Sequence, residues 1–229
     1  MFAVRYKAAI FDLDGTLADS MRVWDHICRD WLAAHGITAQ DNLEQDIERM
    51  TFTQSAEYVI RTYGIVLEPP QIKAEWEAMV ICQYKEAIPL KDGAAEFVKE
   101  LKDQGMKLAI ATSCFPAACE ALLARHKIRD CFSAIVYTDE VSRDKTFPDL
   151  YLATARRLTL APESCVVFED FPPALSGVRT AGMGMAAVYD DSSADQWDTF
   201  KQAADFAIHS FREFEQCQYL LRHRQPKFF

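Results

Sequence analysis

Long apolar segments are missing from this sequence. No stretch approaches the roughly 20 consecutive apolar residues that a membrane-spanning helix needs, and residues 1–7 lack the apolar core of a secretory signal. We therefore expect a cytoplasmic protein without a membrane partner.

Clusters of soft metal ligands are missing as well. The seven cysteines include no Cys-x-x-Cys pair, and the five histidines show no His-Glu-x-x-His or other ligand spacing. These absences argue against a disulfide framework and against a zinc site. We expect reduced, mostly packed cysteines, with Cys114 as a packing residue rather than a nucleophile.

Positive charge is in deficit, since the formal net charge is -9 and the sequence pI is about 5.1. Proteins that bind phosphate backbones carry a surplus of Lys and Arg, so we do not expect a nucleic-acid partner. A small anionic substrate stays compatible with this charge if cations are concentrated locally. The 229 residues, 50% of them hydrophobic, suffice for one full-sized core and a smaller module.

The hydrophobic period changes twice along the chain. A first predicted strand, residues 7–11, ends at an Asp-Leu-Asp-Gly-Thr turn, and a helical period then continues from residue 20 to about residue 88. This change predicts an all-helical domain inserted at 18–89. Its expected helices are residues 21–35, 43–50, 54–63 and 70–87.

Beyond residue 89 the pattern alternates between helix and strand. Apolar strands separated by amphipathic helices are typical of a parallel sheet covered on both faces. We therefore predict an α/β core, a doubly wound, Rossmann-like parallel sheet built from residues 1–17 and 90–229. The expected later strands are 107–111, 133–137, 164–168, 185–189 and 205–208, and the expected helices are 94–104, 116–126, 149–157, 172–181, 194–202 and one from Phe211.

Polar side chains follow four of the predicted strands where each strand ends. Because such sheets bind ligands at the carboxyl ends of their strands, we expect these side chains to meet. Like charges about 4 Å apart repel by roughly 1 to 4 kcal/mol, so a cluster of carboxylates calls for a hard divalent cation, best met by Mg²⁺. The residues are Asp12 and Asp14, Thr112 and Ser113, Asp139 with Lys145, and Glu169 with Asp170.

The same set suits a phosphoryl group. Lys145 adds positive charge, and the hydroxyl of Thr112 and the backbone around Ser113 offer donors to an anionic oxygen. A carboxylate nucleophile with a second carboxylate two residues on, as in Asp12 and Asp14, permits covalent catalysis followed by proton transfer.

Each of these features also has a purely structural interpretation. Asp12 and Asp14 could belong to an ordinary Asp-Gly turn, and Thr112 and Ser113 are common helix-capping types. Lys145 could be a surface lysine with Arg143 close by, and Glu169-Asp170 could simply cap a helix that begins near Pro172.

Four ordered motifs resemble those of the haloacid dehalogenase-like superfamily. They are Asp12-Leu-Asp14-Gly15-Thr16, Leu108-Ala-Ile-Ala-Thr112, Lys145-Thr-Phe-Pro-Asp-Leu-Tyr151 and the acidic pair Glu169-Asp170. The resemblance covers nearly the whole chain. The insert is similar to the small helical cap of phosphoglycolate phosphatase-like and β-phosphoglucomutase-like enzymes.

This resemblance implies a mechanism and a role for each site residue. Asp12 would form an aspartyl-phosphate, while Asp14 protonates the leaving oxygen and then activates water. Thr112 and Lys145, with Ser113 beside them, would hold the phosphoryl group, and closure of the cap would exclude water and select the substrate. Mg²⁺ would be bound by the Asp12 carboxylate, the Asp14 backbone carbonyl and Asp170, with Glu169 binding directly or through water.

Other functions remain open. A β-phosphoglucomutase keeps both aspartates and the same cap, although its phosphate-gripping arginine has no counterpart in register here unless Arg49 or Arg61 substitutes. A dehalogenase or a phosphonate-cleaving relative lacks the second aspartate, so Asp14 argues against both. A non-catalytic binding protein of the same fold would have no need for a costly cluster of like charges. The expected function is hydrolysis of a small phosphorylated metabolite by a monomer or weak dimer.

Overall fold

The computed structural model describes residues 6–47, 50 and 52–213, without the side chain of residue 52. The described residues form two compact units. The described parts of Met1–Asp19 and Pro89–Phe229 make the first, and Ser20–Ile88 make the second. We call them the core unit and the helical unit.

The core unit is built on one six-stranded, fully parallel sheet in the order β3-β2-β1-β4-β5-β6. Because β1 lies in the middle, the residues that follow it have a strand on either side. The predicted α/β fold class, a doubly wound parallel sheet, is confirmed. The strands are β1 (Ala8–Phe11), β2 (Lys107–Thr112), β3 (Ala134–Tyr137), β4 (Cys165–Glu169), β5 (Gly184–Val188) and β6 (Phe206–Ile208).

Both faces of the central strand are covered by apolar side chains. On one face, Phe11 stacks on Phe168 of β4 with ring centroids 4.7 Å apart, and Phe97 and Phe211 complete the aromatic cluster. On the other face, Ile10 belongs to a buried cluster with residues from three later helices. This two-sided burial explains why the strands are apolar at every position rather than at alternate ones.

The helices of the core unit fall close to their predicted positions. They are α5 (Ala94–Asp103), α6 (Pro116–Arg125), α7 (Asp149–Leu158), α8 (Ala174–Thr180) and α9 (Trp197–Ala203). The predicted helix at 194–202 begins three residues late, after a 3-10 segment at Asp191–Gln196. The Asp190 carboxylate accepts the Ser192 N–H there, and Ser193 has non-helical backbone angles.

The prediction of a helix starting at Phe211 is wrong at its start. Residues 211 and 212 form a turn, in which the Phe211 N–H donates to the Asp92 carbonyl and the Arg212 N–H to the Ser210 hydroxyl. The close approach of Arg212 N to Gly93, 2.8 Å from where a Cβ would lie, fixes this turn against the start of α5. The remainder of that predicted helix and the basic tail from residue 222 lie outside the described residues.

The helical unit consists of α1 (Met21–Ala34), α2 (Leu43–Ile47), α3 (Phe52–Tyr63) and α4 (Pro69–Glu86). Glu68 and Gln71 form a reciprocal capping box at the start of α4, where two prolines occupy the first turn. Residues 48, 49 and 51, including the Arg49 considered above, lie outside the described residues. Within the described part of the chain, no helix combines the length and apolar character that crossing a bilayer demands.

A cavity of about 420 Å³ lies within the helical unit. Trp24 and Trp76 supply aromatic walls, and Glu44 and Ser55 supply polar ones. Trp76 also packs edge-on against Trp31, with ring centroids 6.3 Å apart. The unit therefore has its own aromatic core.

Candidate active site

Asp12 follows the central strand and is 3% exposed. Its N–H donates to the Phe168 carbonyl at 3.0 Å, which continues the pairing of β1 with β4 by one residue. The carboxylate is therefore held at the carboxyl edge of the sheet, in a place that water hardly reaches.

Lys145 lies in the loop between β3 and α7 and binds two carboxylates. Its Nζ is 2.5 Å from Asp12 Oδ1 and 3.1 Å from Glu169 Oε2, and the lysine side chain is 11% exposed. Lys145, rather than the more exposed Arg143, is the cation that the structure brings to this edge. Arg143 instead pairs with Asp149 at 2.8 Å.

Glu169 and Asp170 end β4 beside Asp12. One carboxylate oxygen from each of these three residues lies within 4.8 Å of the others, and all three side chains are buried. Thr16 donates a hydrogen bond to Asp170 Oδ1 at 2.6 Å. The Asp-x-Asp-Gly-Thr turn thus supplies both a cluster member and a hydrogen-bond donor to another member.

Gly15 lets the turn approach Asp170. Its φ is +78°, and a Cβ at this position would lie 2.1 Å from Asp170 Oδ2. Because any side chain would displace the carboxylate and also strain the backbone, only glycine suits this position.

The electrostatics of the cluster follow from burial. Burial raises the pKa of Asp12 against the opposing effect of Lys145, and the charge of nearby Asp14 raises it further. Burial and the Asp12 charge raise the pKa of Glu169 well above its usual range and that of Asp170 to about 7. The pKa of Lys145 is raised despite burial, because Asp12 and Glu169 favour its charged form.

The cluster thus contains three carboxylates and one lysine, which contacts two of them, so that an excess of negative charge lies in a buried place. The donors are all oxygens, and among the described residues no other group of three acidic, histidine or cysteine side chains lies so close together. Hard oxygen donors suit a divalent cation of the Mg²⁺ or Ca²⁺ type. The residues present therefore fit a divalent metal.

The other predicted site residues surround this cluster less directly. Asp14 is half-buried and lies outside the group of three, although its charge acts on Asp12. Thr112 is buried at the end of β2, two residues after Ile110, which is the last β2 residue paired with β1. Its hydroxyl accepts the Cys114 N–H at 3.0 Å. Ser113 and Asp139 are exposed, and Asp139 is not part of the close acidic group.

Two residues that shape the site had no assigned role in the sequence. Gly177 of α8 packs against the loop that carries Lys145, since a Cβ there would lie 2.3 Å from the Lys145 carbonyl oxygen. Tyr151 of α7 is buried, and its hydroxyl finds no hydrogen-bond partner among the described residues. A glycine inside a helix can be noticed in the sequence as a sign of close packing, so Gly177 could have been found. The burial of Tyr151 depends on tertiary packing and could not.

The haloacid dehalogenase-like hydrolase family matches residues 6–182, which is most of the chain. The chain belongs to the haloacid dehalogenase-like hydrolase family. This membership confirms the predicted family and the predicted enzyme class, a phosphoric monoester hydrolase, since several relatives are named phosphatases.

Three curated relatives show the range of this family. The bifunctional riboflavin kinase/FMN phosphatase of Arabidopsis thaliana is 30% identical over 183 residues, but the match covers 80% of this chain and only 48% of that protein. Protein CbbY of Rhodobacter capsulatus is 30% identical, with 83% of this chain and 91% of that protein covered. Fructose-1-phosphate phosphatase YqaB of Escherichia coli (strain K12) is 31% identical, with 78% and 94% covered.

Solved structures of haloacid dehalogenase-like proteins share the fold. CbbY from Rhodobacter sphaeroides, in complex with xylulose-1,5-bisphosphate, has a TM-score of 0.76 and 25% identity, with 91% of this chain and 96% of that chain covered. A β-phosphoglucomutase-type protein from Thermotoga maritima has a TM-score of 0.79, covers 93% and 98%, and is 23% identical, so it supports the fold alone.

Proposed function

We propose that this haloacid dehalogenase-like hydrolase is a Mg²⁺-dependent phosphatase that hydrolyses a small phosphorylated sugar through an aspartyl-phosphate on Asp12. The observation that carries the proposal is the buried group of Asp12, Glu169 and Asp170 with Lys145 bound to Asp12. The names of relatives, among them a fructose-1-phosphate phosphatase and a hexitol phosphatase, support a sugar phosphate as substrate.

The metal would be held by Asp12, Asp170 and Glu169, together with the backbone carbonyl of Asp14. Bound there, Mg²⁺ supplies positive charge that offsets the carboxylates and the phosphoryl oxygens. Lys145 contributes a second cation and holds the Asp12 carboxylate by its Oδ1 atom.

In the first step, a carboxylate oxygen of Asp12 forms a bond to phosphorus while the bond from phosphorus to the sugar oxygen breaks. Asp14 gives its proton to that leaving oxygen, which departs as an alcohol. Asp14 suits this role because it is half-buried, so it reaches solvent while the nucleophile stays shielded.

In the second step, water attacks phosphorus and the bond from phosphorus to Asp12 breaks. Asp14 accepts the proton of that water, so both aspartates return to their starting states and inorganic phosphate leaves. Lys145, the Thr112 hydroxyl and the backbone around Ser113 are proposed to bind the phosphoryl oxygens in both steps.

We also propose that residues 18–89 serve as the cap of the enzyme and select the sugar. Loops and inserted modules commonly carry specificity while the core carries the chemistry. The phosphatase is expected to discriminate among sugars through residues of this module.

The test is a panel of phosphorylated metabolites assayed for phosphate release, with Mg²⁺ and with EDTA. We expect Mg²⁺-dependent release from one or more sugar phosphates and a loss of about 1,000-fold or more in kcat for Asp12→Asn. Asp103→Asn, at the exposed end of α5, is the matched control and should keep full activity.

Two results would contradict the proposal. Full turnover by Asp12→Asn would rule out this nucleophile. Formation of glucose 6-phosphate from β-glucose 1-phosphate with a bisphosphate activator would establish a mutase instead.

A further inference from the structure

Lys91 is a second nearly buried lysine of the core unit, outside the acidic cluster. Its Nζ lies 2.6 Å from Asp190 Oδ2, and the two side chains are 15% and 7% exposed. The same ammonium group donates to the Tyr189 carbonyl at 2.7 Å. Buried ion pairs contribute little net stability because desolvation offsets their attraction, so a positional role is the better explanation of this pair.

Asp190 orders the segment that follows β5. Its Oδ1 accepts hydrogen bonds from the Ser192 N–H at 2.9 Å and from the Ser192 hydroxyl at 2.6 Å, while its carbonyl accepts the Ser193 N–H at 3.2 Å. Both carboxylate oxygens of Asp190 are therefore engaged, one by Lys91 and one by Ser192. The backbone of Ser193 is held in place as a result.

Ser193 connects this ordered segment to the acidic cluster by a hydrogen bond. Its hydroxyl lies 3.0 Å from the Asp170 carbonyl oxygen and 3.4 Å from the Asp190 carbonyl oxygen, so the shorter contact is to Asp170. Ser193 is buried although its side chain is polar. The hydroxyl thus fixes the main chain of Asp170.

The main chain of Lys91 also binds the loop after β1. Its N–H donates to the Leu17 carbonyl at 2.8 Å, and Thr16, the preceding residue of that loop, holds Asp170 Oδ1. One lysine therefore ties together the two segments that hold the carbonyl and the carboxylate of Asp170.

We propose that Lys91, Asp190 and Ser193 form a positioning brace that sets Asp170 for cation binding. The proposal rests on the metal site of the proposed function. Groups that orient metal ligands without touching the metal typically change metal affinity or activity 10- to 100-fold when they are removed. The brace should therefore act on metal affinity, with a small effect on kcat at saturating metal.

The experiment is calorimetric titration of the purified full chain with Mn²⁺ and with Mg²⁺, which reports binding without turnover. We expect Ser193→Ala and Lys91→Met to raise the Kd for the cation by about 10-fold, with Lys91→Arg largely restoring it. The matched controls are Ser176→Ala on the exposed side of α8 and Lys102→Met, whose ammonium donates to the carbonyl of the exposed residue Asp130. Both should bind the cation as the unmodified chain does.

The variants separate the possible failures. If Lys91→Met does not fold, Ser193→Ala decides the question, since it removes a single oxygen. An unmodified Kd in folded Ser193→Ala, with binding abolished by Asp170→Asn, would overturn the brace and leave the metal site intact. Absence of cation binding by the unmodified chain would overturn both proposals.

Discussion

The pKa values of two glutamates, one in each unit, are shifted in opposite directions. In the helical unit, Glu44 receives two bonds from Arg29, which holds its pKa down to about 2. In the core unit, Glu169 shares one lysine with Asp12 and lies beside Asp170, and burial raises its pKa well above the usual range. Glu44 and Arg29 are about 30% exposed, whereas Glu169 is fully buried.

The contrast between these two glutamates shows where this fold contains unbalanced charge. In the helical unit, the pair of Glu44 and Arg29 is neutral and gains at most about 1 kcal/mol. At the sheet edge, the carboxylates outnumber the cation in a place where an unpaired charge is costly. Such an excess of negative charge is expected only where a bound cation offsets it.

Removing the lysine of the cluster should have the largest effect. We expect Lys145→Met to lower the free energy of unfolding in EDTA by roughly 3 to 5 kcal/mol, because carboxylates are left buried without a cation. Added Mg²⁺ should recover part of this loss, and phosphatase activity should fall to background. Chemical denaturation with EDTA and with Mg²⁺ measures both effects.

The control for that loss is Lys201→Met, which breaks the exposed pair with Asp198. It should change the unfolding free energy by less than about 0.5 kcal/mol. Equal destabilisation by the two variants would contradict the contrast between buried and exposed charge.

Adding a methyl group beside Asp170 should have the next largest effect. Gly15 and Gly105 have φ values of +78° and +81°, but only Gly15 lacks room for a Cβ. We expect Gly105→Ala to cost about 1 to 2 kcal/mol of backbone strain, and Gly15→Ala to cost more and also to weaken Mg²⁺ binding at least 10-fold. Unfolding free energies and calorimetric Kd values for the pair of variants would show whether the extra effect is local to the site.

The pH dependence of stability should differ in sign between the two regions. Asp170, with its pKa raised to about 7 in the folded state, binds more protons there than in the unfolded state. Unfolding free energy in EDTA should therefore fall as the pH rises from about 4 toward about 7. Glu44, with its pKa lowered to about 2, stabilises the fold above its ordinary pKa, and this contribution is lost as the pH falls from about 4.5 toward about 2.

Denaturation curves in EDTA across this pH range, for the unmodified chain, Asp170→Asn and Glu44→Gln, measure both slopes. Asp170→Asn should reduce the loss toward neutral pH, and part of the loss should remain because the pKa values of Asp12 and Glu169 are also raised. Glu44→Gln should reduce the loss toward acid. A loss that stays unchanged in Asp170→Asn would contradict the assignment.

Apart from the control variants, the smallest effect is expected from Arg29→Met in the helical unit. Its pair with Glu44 is partly exposed, so we expect a loss of about 0.5 to 1 kcal/mol and an unchanged Mg²⁺ requirement. Arg212→Met, which breaks the more exposed pair with Asp92, is the matched control and should cost less. A large effect of Arg29→Met on Mg²⁺ activation would break the contrast between the two regions.

Much of the fold could be predicted because local hydrophobic patterns in the sequence indicate its strands and helices. The six strands were expected from apolar runs, and their ends are within one or two residues of those observed. The start of α9 and the turn at Phe211 were missed, because Asp190 and Asp92 accept backbone N–H groups there and no helical period reveals such competition.

The sequence by itself determined the chemical types at the sheet edge. Strands that end in Asp12, Thr112 and Glu169 must meet if the sheet is parallel, since parallel strands present their carboxyl ends together. Only the tertiary structure decided that Lys145, and not Arg143, pairs with Asp12, and that Ser193 and Gly177 support the site. Those contacts join residues far apart in the chain, so they depend on strand order and loop path, which neither period nor propensity encodes.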